Sequence, residues 1–173
     1  MGVVFTSSSA STYEPIYSQT MVNSSTSTVT FNSIPSTYTD LVMIIFGAAT
    51  VGGNSVNIKY NNDTTSTNYG FTQQQGNGST SATQRRLDNT GWLFWSGGMS
   101  TTFDNVCEWQ INNYASTFAY KQSMLRNNTA SIVTEQLVGC YKSTNAISRI
   151  DITTASGAFS QGTMFTLYGI KAA

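Results

Sequence analysis

Apolar and polar residues alternate with a period of two along most of this chain, the signature of half-buried strands. The longest departure is Leu41 to Phe46, six apolar residues in a row within the stretch IPSTYTDLVMIIFGAAT at 34–50. Six is far short of the roughly 20 residues that a membrane helix needs, and Gly47 stops the run, so it predicts a central strand covered on both faces. Pro35 fixes its own backbone and pushes Ile34 toward extended geometry, while Ser36, Thr37 and Asp40 supply turn chemistry ahead of the strand. A strand buried on both sides requires a second layer, hence a β-sandwich or barrel.

The other elements follow from the same rhythm. Thr26 to Phe31 alternates, with Val29 and Phe31 on one face, and Ser55 to Tyr60 places Val56, Ile58 and Tyr60 inward after the turn signal Gly52-Gly53. Gly91 to Trp95 is a compact apolar cluster closed by Gly97-Gly98. Phe103 to Tyr114 sets Cys107, Trp109 and Ile111 inward and Val106, Glu108 and Gln110 outward. Lys121 to Arg126, Ser131 to Tyr141 and Ala146 to Thr153 continue the pattern, and the last strand, Thr163 to Ile170, is apolar on both faces and so predicts cover on both. Residues 61–83 are almost wholly polar. They predict a long loop pinned at its base by Tyr69 and Phe71, with a mobile tip from Gln73 to Ser81. The first 25 residues are rich in Ser and Thr, with a short extended piece from Ile16 to Val22, and predict an N-terminal arm (1–25) before the main domain (26–173). Some nine or ten short strands and no amphipathic helix select an all-β antiparallel β-sandwich, with a jelly roll the leading topology.

Composition narrows the function classes. The 173 residues hold eight basic and eight acidic side chains, so 9% are charged and the net charge is zero. Solubility therefore rests on Ser, Thr, Asn and Gln, and the positive excess that phosphate binding needs is missing, which argues against nucleic acid. The start, MGVVFTSSSAS, lacks the basic and apolar regions of a secretory signal, and nothing predicts a membrane partner. With no His anywhere, the commonest zinc ligand and the usual general base are both missing. None of Lys59, Lys121, Lys142 or Lys171 stands in an S-x-x-K setting, the acids are scattered, and Asp63 lacks the partners of a calcium loop. Cys107 and Cys140 read as small buried hydrophobes. The reading is a non-enzyme, without catalytic, cofactor-binding or metal residues.

Three segments say more. IPSTYTDLVMI at 34–44, INNYAST at 111–117 and ITTASGAFSQGTMFTLYGIKAA from Ile152 resemble a family of tailed-bacteriophage virion proteins, tail-fibre and head-decoration modules among them. In that family a strand introduced by I-P-x-x-Y-T-D-L and a terminal strand ending F-x-L-Y-G-I-K recur. The resemblance spans Phe31 to Lys171 and rests on core and turn elements. It implies a β-sandwich on the outside of a virion assembled in the host cytoplasm, contacts with other virion proteins, and a homo-oligomer, most often a trimer. The neutral surface agrees, because identical copies without net charge do not repel. The arm from Val3 to Tyr17 is expected to become ordered against a neighbour.

Two functions of different class follow. One is a structural protein joining neighbouring subunits; the other is a module that attaches the particle to a host-surface glycan. The candidate binding residues are the aromatics Tyr69, Phe71, Trp92 and Trp95. Exposed, they would favour the glycan; buried, they would favour the structural role.

Overall fold

The computed structural model describes residues 12–103, 105–130 and 133–171, without the side chains of Asp88 and residues 95–97. The strands are β1 (Tyr13–Thr20), β2 (Thr28–Phe31), β3 (Asp40–Gly47), β4 (Asn54–Tyr60), β5 (Tyr69–Gly76), β6 (Ser81–Asn89), β7 (Trp92–Met99), β8 (Asn105–Asn112), β9 (Lys121–Thr129), β10 (Val133–Tyr141), β11 (Ile150–Thr154) and β12 (Met164–Ile170). They form two antiparallel sheets, eight strands in the order β1-β12-β3-β8-β9-β10-β5-β6 and four in the order β2-β11-β4-β7. The chain crosses between the layers at each step from β1 to β5. β12 returns between β1 and β3 and β11 between β2 and β4, a winding of jelly-roll type. The expected all-β sandwich is therefore present.

Alternation places one face of each strand in the core. In β3, Leu41, Met43 and Ile45 are fully buried, and their neighbours across β8 are Ile111, Trp109 and Cys107. The four-stranded sheet meets them with Val56, Ile58, Tyr60, Trp92 and Phe94. Two close approaches set the spacing of the layers. A Cβ on Gly139 would lie 2.4 Å from the ring of Trp92, so the missing side chain makes room for the indole. Gly98, at φ 89°, brings its Cα so near Gly53 that a Cβ would fall 2.1 Å from that residue's Cα.

Three expectations are corrected. Of residues 61–83, read as a loop, Tyr69–Gly76 is β5, and it pairs with β6 through the turn at Asn77–Thr80. The alternation is present, but amides carry it. Gln73 is buried beside Tyr69 and Phe71 on the inward side of β5, and a reading that scores Gln as polar cannot see the period. Second, the outward side of Leu41 to Phe46 is covered within one chain only at Val42, since Ile44 and Phe46 remain 38% and 39% exposed. The same holds for β12, where Phe165 and Leu167 are buried while Met164 is 43% exposed. Third, the part of the arm from Tyr13 onward is β1, ordered against β12 of its own chain. Residues 1–11 lie outside the described residues.

Register is continuous in the pairs inside the large sheet, such as β12–β3, β3–β8, β8–β9, β9–β10 and β10–β5. It shifts in β1–β12 between Pro15 and Tyr17, in β5–β6 between Tyr69 and Phe71, and in β4–β7 between Asn54 and Val56.

Candidate functional site

Three of the four aromatic residues proposed as a binding surface are core. Tyr69, Phe71 and Trp92 are buried, and the side chain of Trp95 lies outside the described residues. Trp92 packs edge-on against Trp109 at 5.3 Å and against Tyr69 at 6.0 Å, with Phe71 at 5.9 Å. The Trp92 indole N–H is buried without a partner, whereas the other polar tips in this cluster are paired. Trp109 Nε1 donates to Tyr60 Oη at 2.8 Å, and that hydroxyl shares a 3.0 Å hydrogen bond with Ser123 Oγ. Burial pushes the Tyr60 hydroxyl far above the ordinary phenol range, so it stays neutral.

The cluster is closed at one end by Asp63. Its Oδ2 accepts Tyr141 Oη at 2.8 Å and Asn68 Nδ2 at 2.7 Å, while Oδ1 accepts the Thr65 amide at 2.8 Å. Burial alone would raise this carboxyl, but the hydrogen bonds from Thr65, Asn68 and Tyr141 outweigh it and hold the group at about 2. For Tyr141, burial and the Asp63 contact push the hydroxyl up to about 12.

Four loops meet at this end. Tyr114 Oη donates to Pro35 O and receives the Tyr38 amide, Ile34 N donates to Ser148 O, and Asn61 Nδ2 donates to Ala146 O. Lys121, fully buried, directs its ammonium to the carbonyls of Ser116, Ala119 and Ser143 and so ties the 113–120 loop to the 142–146 loop. Burial lowers its pKa. Within the 113–120 loop, Ser116 Oγ accepts the amides of Phe118 at 3.2 Å and Ala119 at 3.1 Å. The backbone is thus pinned on both sides of Phe118, whose side chain is 94% exposed, with Tyr120 also exposed. Sequence reading missed these two residues. The available signal was an aromatic placed two residues after a Ser in a turn, with no strand alternation around it.

The outward face of the eight-stranded sheet carries the second unusual surface. Met164, Phe46 and Val106 stand in register on β12, β3 and β8, with Ile44 beside them and the Phe103 ring tilted against Phe46 at 6.3 Å. All five are exposed and together form an apolar stripe on the sheet. Next to the stripe the sheet is hollowed over β8, β9 and β10, a depression of about 370 Å³ lined by the exposed side chains of Met124 and Val138 and by β9 and β10 at Leu125 and Leu137. Its rim carries Gln110, Gln136 and the ion pair Glu108–Arg126 at 2.7 Å. A further depression, lined by Val106, Glu108, Arg126 and Gln136 among others, joins stripe and hollow.

The charged groups are used structurally. Glu108 pairs with Arg126, and Asp151 is buried under Arg149 Nη2 at 2.7 Å, with Thr30 Oγ1 also donating to it at 2.7 Å. Asp151, between the buried Ile150 and Ile152 of β11, is thus covered as well. Cys107 faces the core and Cys140 the opposite side of the sheet; both are free thiols. Among the described residues no three of His, Cys, Asp or Glu come together as a cation cluster.

No protein-family model matches the chain, and no curated protein matches it. Among solved structures, it is similar to the crystal structure of exo-inulinase from Aspergillus awamori, with 15% identity and a TM-score of 0.44, over 91% of this chain and 29% of that one. The chain thus spans under a third of that protein's length, and a likeness this weak carries no functional argument.

Proposed function

We propose that the chain is a non-catalytic structural module on the outside of a tailed-phage virion, a fibre, tail-accessory or head-decoration subunit that associates with copies of itself as a trimer and with other virion proteins. The observation that carries this reading is the apolar stripe of Met164, Phe46, Ile44 and Val106 on the outward face of the large sheet. Covering the exposed part of each such side chain yields on the order of 1–2 kcal/mol, and a neighbouring subunit is the cover that both-sided apolarity of β3 and β12 calls for. Zero net charge supports association of identical copies. The burial of Tyr69, Phe71 and Trp92 weighs against the glycan-attachment reading, which needed them at the surface.

The test is light scattering of the full chain beside a Phe46→Asp variant, together with electron microscopy of particles bearing the labelled protein. A trimer located on the particle exterior that Phe46→Asp converts to a monomer still folded by far-UV circular dichroism is expected. A wild-type monomer that never binds particles sinks the reading.

A further inference from the structure

We infer that Phe118 of one copy seats in the hollow over β8, β9 and β10 of the next, so that the module carries both halves of its own joint. The inference rests on the self-association proposed above and names the contact that makes it.

The first half is the knob. Phe118 projects almost completely into solvent, yet its backbone is held by Ser116 Oγ, and the loop that carries it is held by the buried Lys121 ammonium. An aromatic ring kept in water on a fixed support loses little conformational entropy when it is buried, which is the character of an interface anchor. It makes no use of the hollow of its own chain.

The second half is the socket. The hollow of about 370 Å³ is large enough for a phenyl ring and presents Met124 and Val138, apolar side chains that are themselves exposed. The charges at its rim, Glu108 and Arg126, neutralise each other at 2.7 Å, so an apolar group entering there strands no lone charge. The hollow also runs into the stripe through the depression at Val106 and Glu108. A neighbour whose Phe118 fills the socket therefore lies over the stripe as well, and one partner covers the whole apolar face. A second copy is the favoured occupant because this chain supplies the matching anchor and, with no net charge, meets no long-range repulsion from itself. Repeated head to tail, this contact closes in a ring of three that satisfies every knob and every socket, the arrangement that matches the proposed trimer.

The experiment is sedimentation velocity on the full chain as wild type, Phe118→Asp, Met124→Arg and an equimolar mixture of the two variants, with thermal midpoints measured alongside. Phe118→Asp would bring a carboxylate against Glu108, and Met124→Arg fills the socket. Each variant alone is expected to weaken association at least tenfold with its midpoint unchanged. The mixture is expected to form a one-to-one dimer, because one member keeps its socket and the other its knob. If Met124→Arg lowers the midpoint, Val138→Lys replaces it in the mixture. A wild-type oligomer that Phe118→Asp leaves intact overturns this joint while leaving self-association standing. A mixture that stays monomeric after both variants have dissociated shows that knob and socket do not meet, and also overturns it. A wild type that is monomeric at every concentration removes both this inference and the reading beneath it, including the case in which Phe118→Asp abolishes binding to a glycan array.

Discussion

The two faces of β3, inside the eight-stranded sheet, are both apolar and live in different environments. On β3, Leu41, Met43 and Ile45 point inward and are sealed by the smaller sheet, while Ile44 and Phe46, one position along, point outward and stay well over a third exposed. The inward face also pairs polar atoms in its interior, as in the Trp109–Tyr60–Ser123 chain of hydrogen bonds. Stability therefore comes from one face of the strand and spare apolar surface from the other. The difference teaches that hydrophobicity along a strand reports burial somewhere, and not burial within a single chain.

Substitutions on either side can break or sharpen this contrast. Trp109→Ala, deep on the inward face, should destabilise the fold by about 3–5 kcal/mol, read from chemical denaturation; a loss below about 1 kcal/mol would mean that the inward face is not the seat of stability. Tyr60→Phe keeps the ring and strands the Trp109 N–H, and should cost about 1–3 kcal/mol by the same measurement.

Asp63→Asn tests how the inward cluster is closed. The folded carboxyl sits at about 2, below its ordinary 3.8, so it contributes stability that is fully present above about pH 4 and is lost as pH falls toward 2. Thermal midpoints measured from pH 5 to pH 2 should fall more for the wild type than for Asp63→Asn. The variant itself should cost roughly 1 kcal/mol at neutral pH, since an amide cannot accept at both oxygens. Parallel acid profiles would show that this carboxylate does not govern the window. The smallest effect belongs to the outward face: Ile44→Thr with Phe46→Ser should shift stability by no more than about 1 kcal/mol while suppressing self-association in light scattering. A large destabilisation would place these residues in the core and erase the contrast.

Much of the fold was legible because period-two patterning and strand burial coincide wherever the inward residues are apolar. β8 could be read side chain by side chain, with Cys107, Trp109 and Ile111 buried as alternation requires. β5 and β6 escaped because their inward positions include Gln73, which is buried and accepts a 2.7 Å hydrogen bond from Gln84 Nε2. Amide pairing of this kind lets a polar residue occupy an inward position without leaving an apolar period in the sequence, although the Gln73 Nε2 group itself stays unpaired. The candidate surface was misread for a related reason. Tyr69, Phe71 and Trp92 stand among glycines and polar residues that suggest a loop, yet they occupy alternate inward positions of paired strands. Phe118 went unnoticed because its exposure depends on Lys121 being drawn inward to three carbonyls, an arrangement fixed by loops distant in the chain.

The placement of the register shifts has its own consequence. They fall on the outermost pairs, at β1, β6 and β7, and the remaining outer strand, β2, is only four residues long. β1 also holds Pro15, which has no amide hydrogen to offer an incoming backbone. Short, kinked or donor-poor margins are how natural sheets refuse a foreign strand. This molecule is consequently guarded against the runaway stacking that turns strand-rich proteins into amyloid, even though its weak charge gives it little electrostatic defence.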